Sequence, residues 1–242
     1  VVPISVALGL GSALLISSLR IGGEMYKAVF FLPVMATLLA MAIVWEFALN
    51  PIVGVVNDVL RSGCDKSLIY GLLSGSWLGY EPTTSWYGAA CIKKFPLWLG
   101  DKQYALGTIA FIGIWQGFGF NMVLYLAGLT SVPRELYHAA HMDGADSAWE
   151  RFKLVTWPML GPTNVFVITI SSIRSFQVFD TVEALTGGGP SKSTYVMVYA
   201  MFEKGVKQNL LGIGSAITIV FLAFVLILTL VQVYFVNRKV HY

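Results

Sequence analysis

Residues 137–152, YHAAHMDGADSAWERF, form a polar island between two long apolar runs and carry two His, two Asp, one Glu and one Arg. Its surroundings decide how it is read. The whole chain of 242 residues is 56% hydrophobic and 12% charged, against roughly a quarter charged in an ordinary soluble domain. So few polar side chains cannot coat a globule, which points to a membrane protein. Five runs hold at least 18 residues without Asp, Glu, Lys or Arg: Val1–Leu19, Ala28–Trp45, Gln103–Pro133, Leu154–Ile173 and Gln208–Asn237. About 20 mainly apolar residues cross a ~30 Å hydrocarbon core as a helix. The expected fold is therefore an all-α, polytopic transmembrane helix bundle with five visible spans. The chain opens inside the first run with no basic leader, so a signal peptide is excluded there. It reads as a single domain over 1–242 that is N-terminally incomplete, with six spans in the full core.

The connections carry the polar sequence. Ile16–Lys27 reads as a tight turn around Gly22 and Gly23. The loop 50–102 is long and holds Trp77, Trp86 and Trp98, rings suited to the membrane interface. It also holds both cysteines, Cys64 and Cys91, which a disulfide can join or leave free. The stretch 185–207 contains TGGGPSKST, read as a sharp turn. Alternate connections lie on opposite sides of a membrane. Seven basic residues fall with the island and the C-terminal tail, and eight on the other side, spread over the two longer loops where charge directs orientation weakly. That tendency places the loop 130–158 on the cytoplasmic side and 50–102 outside.

The island itself spells two short helices. Ser131 is positioned to cap the first, with Pro133 in its first turn, where a missing N–H costs nothing. Leu136, Ala139 and Ala140 share one helical face, a smooth surface for a partner. Asp143-Gly144 ends that helix. Ser147 and Glu150 form a capping box for the second, and Pro158 marks re-entry to the membrane. A helix–Gly–helix elbow of this kind suits docking into a cleft.

Two further constellations lie within the apolar runs. Arg174 interrupts the stretch Leu154–Asp180, with Ser171, Ser175 and Val178 on its helical face. A charge in lipid is costly, so such a face points to a water-filled path or, for the serines, to helix–helix hydrogen bonding. Trp115, Gln116, Gly117, Phe120 and Asn121 combine rings with amides, the pairing that meets the apolar faces and hydroxyls of sugars. Ordinary helix packing is the competing reading.

Here a resemblance becomes specific. ELYHAAHMDGA followed by VTWP is similar to the EAA loop of ATP-binding-cassette importer permeases, through Ala139, Ala140, Gly144, Val155 and Pro158. SVPRELY before it, NPIVGVVN (50–57) and FQVFD…LTGGGP (176–190) resemble the carbohydrate branch, the maltose- and glycerol-phosphate-permease type. The resemblance implies a permease subunit of a binding-protein-dependent sugar or polyol importer in the bacterial cytoplasmic (inner) membrane. It further implies a second homologous permease, two ATP-binding subunits and an extracytoplasmic solute-binding protein as partners, besides membrane lipid. ATP and Mg would belong to the ATPase, leaving no cofactor and no covalent chemistry in this chain. The elbow residues Glu135, His138, Ala139, Ala140, Asp143 and Gly144 would couple to that ATPase. Trp115, Gln116, Gly117, Phe120, Asn121, Ser171, Arg174 and Ser175 would line the substrate path. One departure is that His138 stands where the family has Glu; Glu135, one turn earlier, is the nearest acid.

Other classes fit poorly. GGGPSKST lacks the second Gly of a phosphate loop and follows a membrane helix rather than a strand. His138, His141 and Asp143 supply at most three ligands, short of a structural zinc set. No nucleophile elbow occurs, which disfavours a membrane hydrolase. A net charge of +3 with no basic run gives no sign of nucleic-acid binding. The remaining alternative is an ion-coupled carrier, which would want carboxylates near mid-membrane; Glu46 and Asp180 sit toward span ends.

Overall fold

The computed structural model describes residues 1–19, 22–57 and 97–237, so Cys64, Cys91, Trp77 and Trp86 lie outside the described residues. The described elements are helices: α1 Val2–Ser18, α2 Gly23–Met35, α3 Leu38–Ala48, α4 Lys102–Thr130, α5 Arg134–Met142 and α6 Ala148–Arg151. A π-helical turn, π1 (Phe152–Thr156), leads to α7 (Trp157–Met159), α8 (Gly161–Phe176) and α9 (Asp180–Leu185). The described residues end with α10 (Met197–Phe202), a second π turn, π2 (Glu203–Lys207), and α11 (Leu211–Asn237).

Among the described residues three stretches are long and apolar enough to cross a membrane: Lys102–Thr130, Gly161–Leu185 and Leu211–Gln232. The pair α2 and α3 makes a fourth if it acts as one span. The expected span at Ala28–Trp45 is therefore not one helix. Pro33 lies in the last turn of α2 and cannot donate to the carbonyl one turn back, and the chain turns extended at Ala36. The expected span at Val1–Leu19 is the 17-residue α1, apolar but short. The run Leu154–Ile173 also starts later than expected. Pro158 has no N–H and its ring crowds the preceding turn. The chain widens just before it into π1, closed by Trp157 N–H donating five residues back to the Phe152 carbonyl. Helix α8 restarts at Gly161 with Pro162 in its first turn.

The chain forms two compact units. The first takes Val1–Thr37, Ala110–Phe179 and Val196–Tyr242. Its core joins Ala13 and Ile16 of α1, Met122 and Tyr125 of α4, Leu160, and Val167 of α8. Close crossings need glycine: a Cβ on Gly9 would lie 2.6 Å from the Asn121 Cβ, and one on Gly128 would lie 2.6 Å from the Thr163 hydroxyl. Small residues at such crossings let helices approach where no hydrophobic force distinguishes side chain from lipid. Tyr125, fully buried, donates to Asn164 Oδ1 at 2.8 Å and so ties α4 to α8. Helix α11 packs in this unit on α8, with Phe224 edge-on to Phe176 (5.4 Å between centroids) and Gln232 donating to Ser172 Oγ at 2.9 Å; Gly214, Ile217, Phe221, Val225 and Leu228 form its less exposed stripe.

The second unit takes Leu38–Ile109 and Asp180–Tyr195, with α3 packed on α9. Asn50 opens its turn by accepting from the Ile52 N–H (2.9 Å) and the Val53 N–H (3.3 Å). Buried Asn57 accepts from the Trp98 indole N–H at 2.8 Å. After α9 the chain reverses through Gly187 and Gly188, both at positive φ (53° and 79°), as the TGGGPSKST reading expects. Thr194 fastens the turn, donating to the Gly189 carbonyl at 2.7 Å.

Candidate functional site

The elbow is built from local signals. Helix α5 ends at Met142 and Gly144 takes φ +89°, a backbone state costly for L side chains. Gly144 N–H donates to the His141 carbonyl (3.1 Å) and Ala145 N–H to the Ala140 carbonyl (2.9 Å), the paired bonds of a Schellman turn. Ala140 and Ala145 supply its apolar contact, in a small core with Val132, Val155 and Tyr137. Helix α6 then starts on the expected capping box. Ser147 Oγ accepts from the Trp149 N–H at 3.2 Å and Glu150 Oε2 from the Ser147 N–H at 3.0 Å. His141 Nδ1 and Asp146 Oδ1, 3.0 Å apart, bridge the turn from outside. Among the described residues no group of three or more His, Cys, Asp or Glu could hold a metal.

One expectation for this elbow is corrected. Ser131 does not cap α5; the N-cap is Pro133 with no side-chain bond, and Ser131 Oγ donates to the Gly128 carbonyl at 2.7 Å. It satisfies the end of α4 instead, because α4 runs to Thr130 and leaves orphan carbonyls there. Ala140 is 8% exposed and lies in the elbow's own core. One apolar face of α5 is consumed by folding back on π1. The outward surface carries Glu135, Leu136, His138, Ala139, Met142, Asp143 and Gly144, followed by Trp149. Met142 is 86% and Trp149 69% exposed. Glu135 and His138 stand three residues apart on that side, so the acid lies one turn from the His.

The intramembrane residues split into two groups. Ser171 Oγ donates to Asn121 Oδ1 at 2.9 Å, and Asn121 Nδ2 donates to Ser5 Oγ at 3.4 Å. Asn121 is 2% exposed. It joins α1, α4 and α8, with both ends of its amide engaged by serine hydroxyls. The second group is open. Arg174 is exposed, with its guanidinium 3.9 Å from the centroid of the Phe120 ring. Trp115, Gly117, Phe120 and Ser175 are partly exposed. Gln116 lies between the groups, donating to the Pro33 carbonyl in the last turn of α2 at 3.4 Å. Val178 drops out of the Arg174 face because α8 stops at Phe176. Sequence reasoning missed Ser5, Asn164 and Thr156, whose partners lie far along the chain. Thr156 shares a 3.0 Å hydrogen bond with the Tyr137 hydroxyl inside the elbow.

Known proteins resemble this chain over nearly its whole length. The sn-glycerol-3-phosphate transport system permease UgpA of Brucella abortus is 28% identical over 97% of this chain and 72% of its own. The trehalose/maltose permease MalF of Thermococcus litoralis is 33% identical over 96% of this chain and 68% of its own. A bacterial alginate ABC transporter, solved with an alginate-pentasaccharide-bound periplasmic protein, superposes with a TM-score of 0.75. That match covers 97% of this chain and 73% of the solved one at 21% identity, and speaks for the fold. Residues 5–241 match the family of binding-protein-dependent transport system inner membrane components. The chain belongs to that family, as a multi-pass inner-membrane permease subunit and not an enzyme.

Proposed function

We propose that this chain is one of two permease subunits in an ATP-driven importer for a sugar or polyol derivative. The observation that carries the reading is the elbow, a rigid two-helix unit whose outward side exposes Leu136, Ala139, Met142 and Trp149. Exposed apolar side chains on a fold-stabilised corner suit burial against another protein. The partner in this reading is one of two ATP-binding subunits, which hold ATP and Mg, and the loop 130–158 is cytoplasmic. A solute-binding protein delivers the solute to the opposite face. Movement of the ATPase pair shifts the elbows, and the helix bundle alternates between inward- and outward-facing states.

The solute class rests on two supports. Relatives named for glycerol phosphate and for trehalose or maltose both handle polyhydroxylated molecules. Arg174 over Phe120 offers a guanidinium fork and a ring face together. A fork of five N–H donors matches phosphate or vicinal hydroxyls. The test is purification through a tag on this chain. The complex is expected to contain a second permease and an ATP-hydrolysing subunit, and to take up a labelled sugar or glycerol phosphate when its binding protein is added. A chain that purifies alone and moves solute with an ion gradient would overturn the reading.

A further inference from the structure

We infer that the hydrogen bond between Tyr137 and Thr156 is the joint through which motion of the elbow reaches the membrane helices. The inference rests on the importer reading above and concerns how its two halves are connected. The elbow has two routes to α8. One follows the backbone of the turn from Asp143 to Ser147, exposed except at Ala145, with Gly144 at positive φ. A force applied to α5 along that route has to pass through the turn, α6 and the whole of π1 before it reaches Thr156.

The other route is buried. Tyr137, on the inner side of α5, meets Thr156 Oγ1 at 3.0 Å, and Thr156 is 5% exposed. Beside it Ala140 packs on Val155 in the elbow core. Thr156 closes π1, and its carbonyl accepts from the Leu160 N–H at 2.9 Å. Leu160 is fully buried in the core shared by α1, α4 and α8. Its carbonyl accepts from the Asn164 N–H at 2.8 Å, and Asn164 holds the Tyr125 hydroxyl of α4. A displacement of Tyr137 is thus delivered to two spans through groups already in contact. The π turn matters to this arrangement. Its wider bonding pattern is a less stable form of helix, often placed at functional positions, where a local change of register is possible. Tyr137 and Thr156 are positioning residues, acting through α8 and α4 without touching the solute.

The link is tested in the whole complex reconstituted in liposomes, by measuring solute moved per ATP hydrolysed. Tyr137→Phe and Thr156→Val each remove one hydroxyl and little volume. Each is expected to lower that ratio about fivefold, the factor that one net hydrogen bond exerts on a two-state equilibrium. The double variant is expected to be no worse than either single one, because both lose the same bond. Thr156→Ser, which keeps the hydroxyl, is expected to restore the ratio. A purely structural role would instead lower complex yield or thermal midpoint and leave the ratio of assembled complexes unchanged; that result overturns the inference. If the variants keep the ratio while Gly144→Val still uncouples a complex that retains its ATPase, the joint is refuted and the importer reading stands. If no ATPase accompanies the wild-type chain, the importer reading itself has failed.

Discussion

Gly144 offers a graded test of the elbow, because its environment separates two kinds of cost. A Cβ built there meets nothing within 4 Å, so no neighbour has to move. What remains is the backbone, held at φ +89°. An L residue in the left-handed region costs about 1–2 kcal/mol, a β-branched one more, and Asn less because its side chain tolerates that region. One or two kcal/mol changes a two-state ratio by roughly 5- to 30-fold. Gly144→Ala is therefore expected to deplete the closed turn by about that factor, Gly144→Val further and Gly144→Asn least. The two Schellman hydrogen bonds and the Ala140–Ala145 contact are lost with it. The assay is solute uptake per ATP hydrolysed in the reconstituted complex, with α-helix content checked in parallel. The order Asn, Ala, Val is the discriminating result, since Asn is larger than Ala. Damage that follows side-chain volume would mean a neighbour occupies the space beside Gly144, and wild-type transport by the Val variant would refute the coupling role.

Arg174→Gln keeps hydrogen bonding but removes the charge over Phe120, and is expected to weaken uptake severalfold at unchanged complex yield; unchanged uptake at saturating and limiting solute would remove Arg174 from the path. Asn121→Ala is expected to do the opposite, lowering the thermal midpoint of the purified complex by breaking bonds to Ser5 and Ser171, worth about 1–2 kcal/mol together in a membrane interior, with coupling per assembled complex preserved. Ser131→Ala is expected to leave α5 intact, because its bond serves the Gly128 carbonyl, and amide exchange in 134–142 should match wild type. For orientation, a membrane-impermeant maleimide added to intact cells after mild reduction is expected to label Cys64 and Cys91 and to miss a cysteine placed at position 141; the reverse pattern would invert the topology.

What could be read in advance divides along a physical line. The elbow's turn was legible because its determinants lie within a few residues: Gly144 after Asp143, and Ser147 three positions before Glu150. Apolar length marked the long spans α4 and α11 within a few residues of their ends. Hydropathy alone could not show that Pro33 sits close to a helix end, or that Pro158 would divert the chain through a π turn. Ser131 was ambiguous for a simple reason. A hydroxyl between two helices can serve the carbonyls of the first or the amides of the second, and α4 claimed it. Asn121 and Arg174 looked alike as polar groups in apolar runs. Only partners 50 and 116 positions away show that one is enclosed while the other is open.

The Asn57–Trp98 bond has a spectroscopic consequence. It holds the indole N–H of Trp98 against the amide oxygen of a buried residue 41 positions away. A hydrogen-bonded N–H exchanges its proton with water only when that contact opens. Trp98 is thus a built-in reporter, a single resolvable proton whose exchange rate tells whether these two points of the second unit stay together while the rest of the protein works.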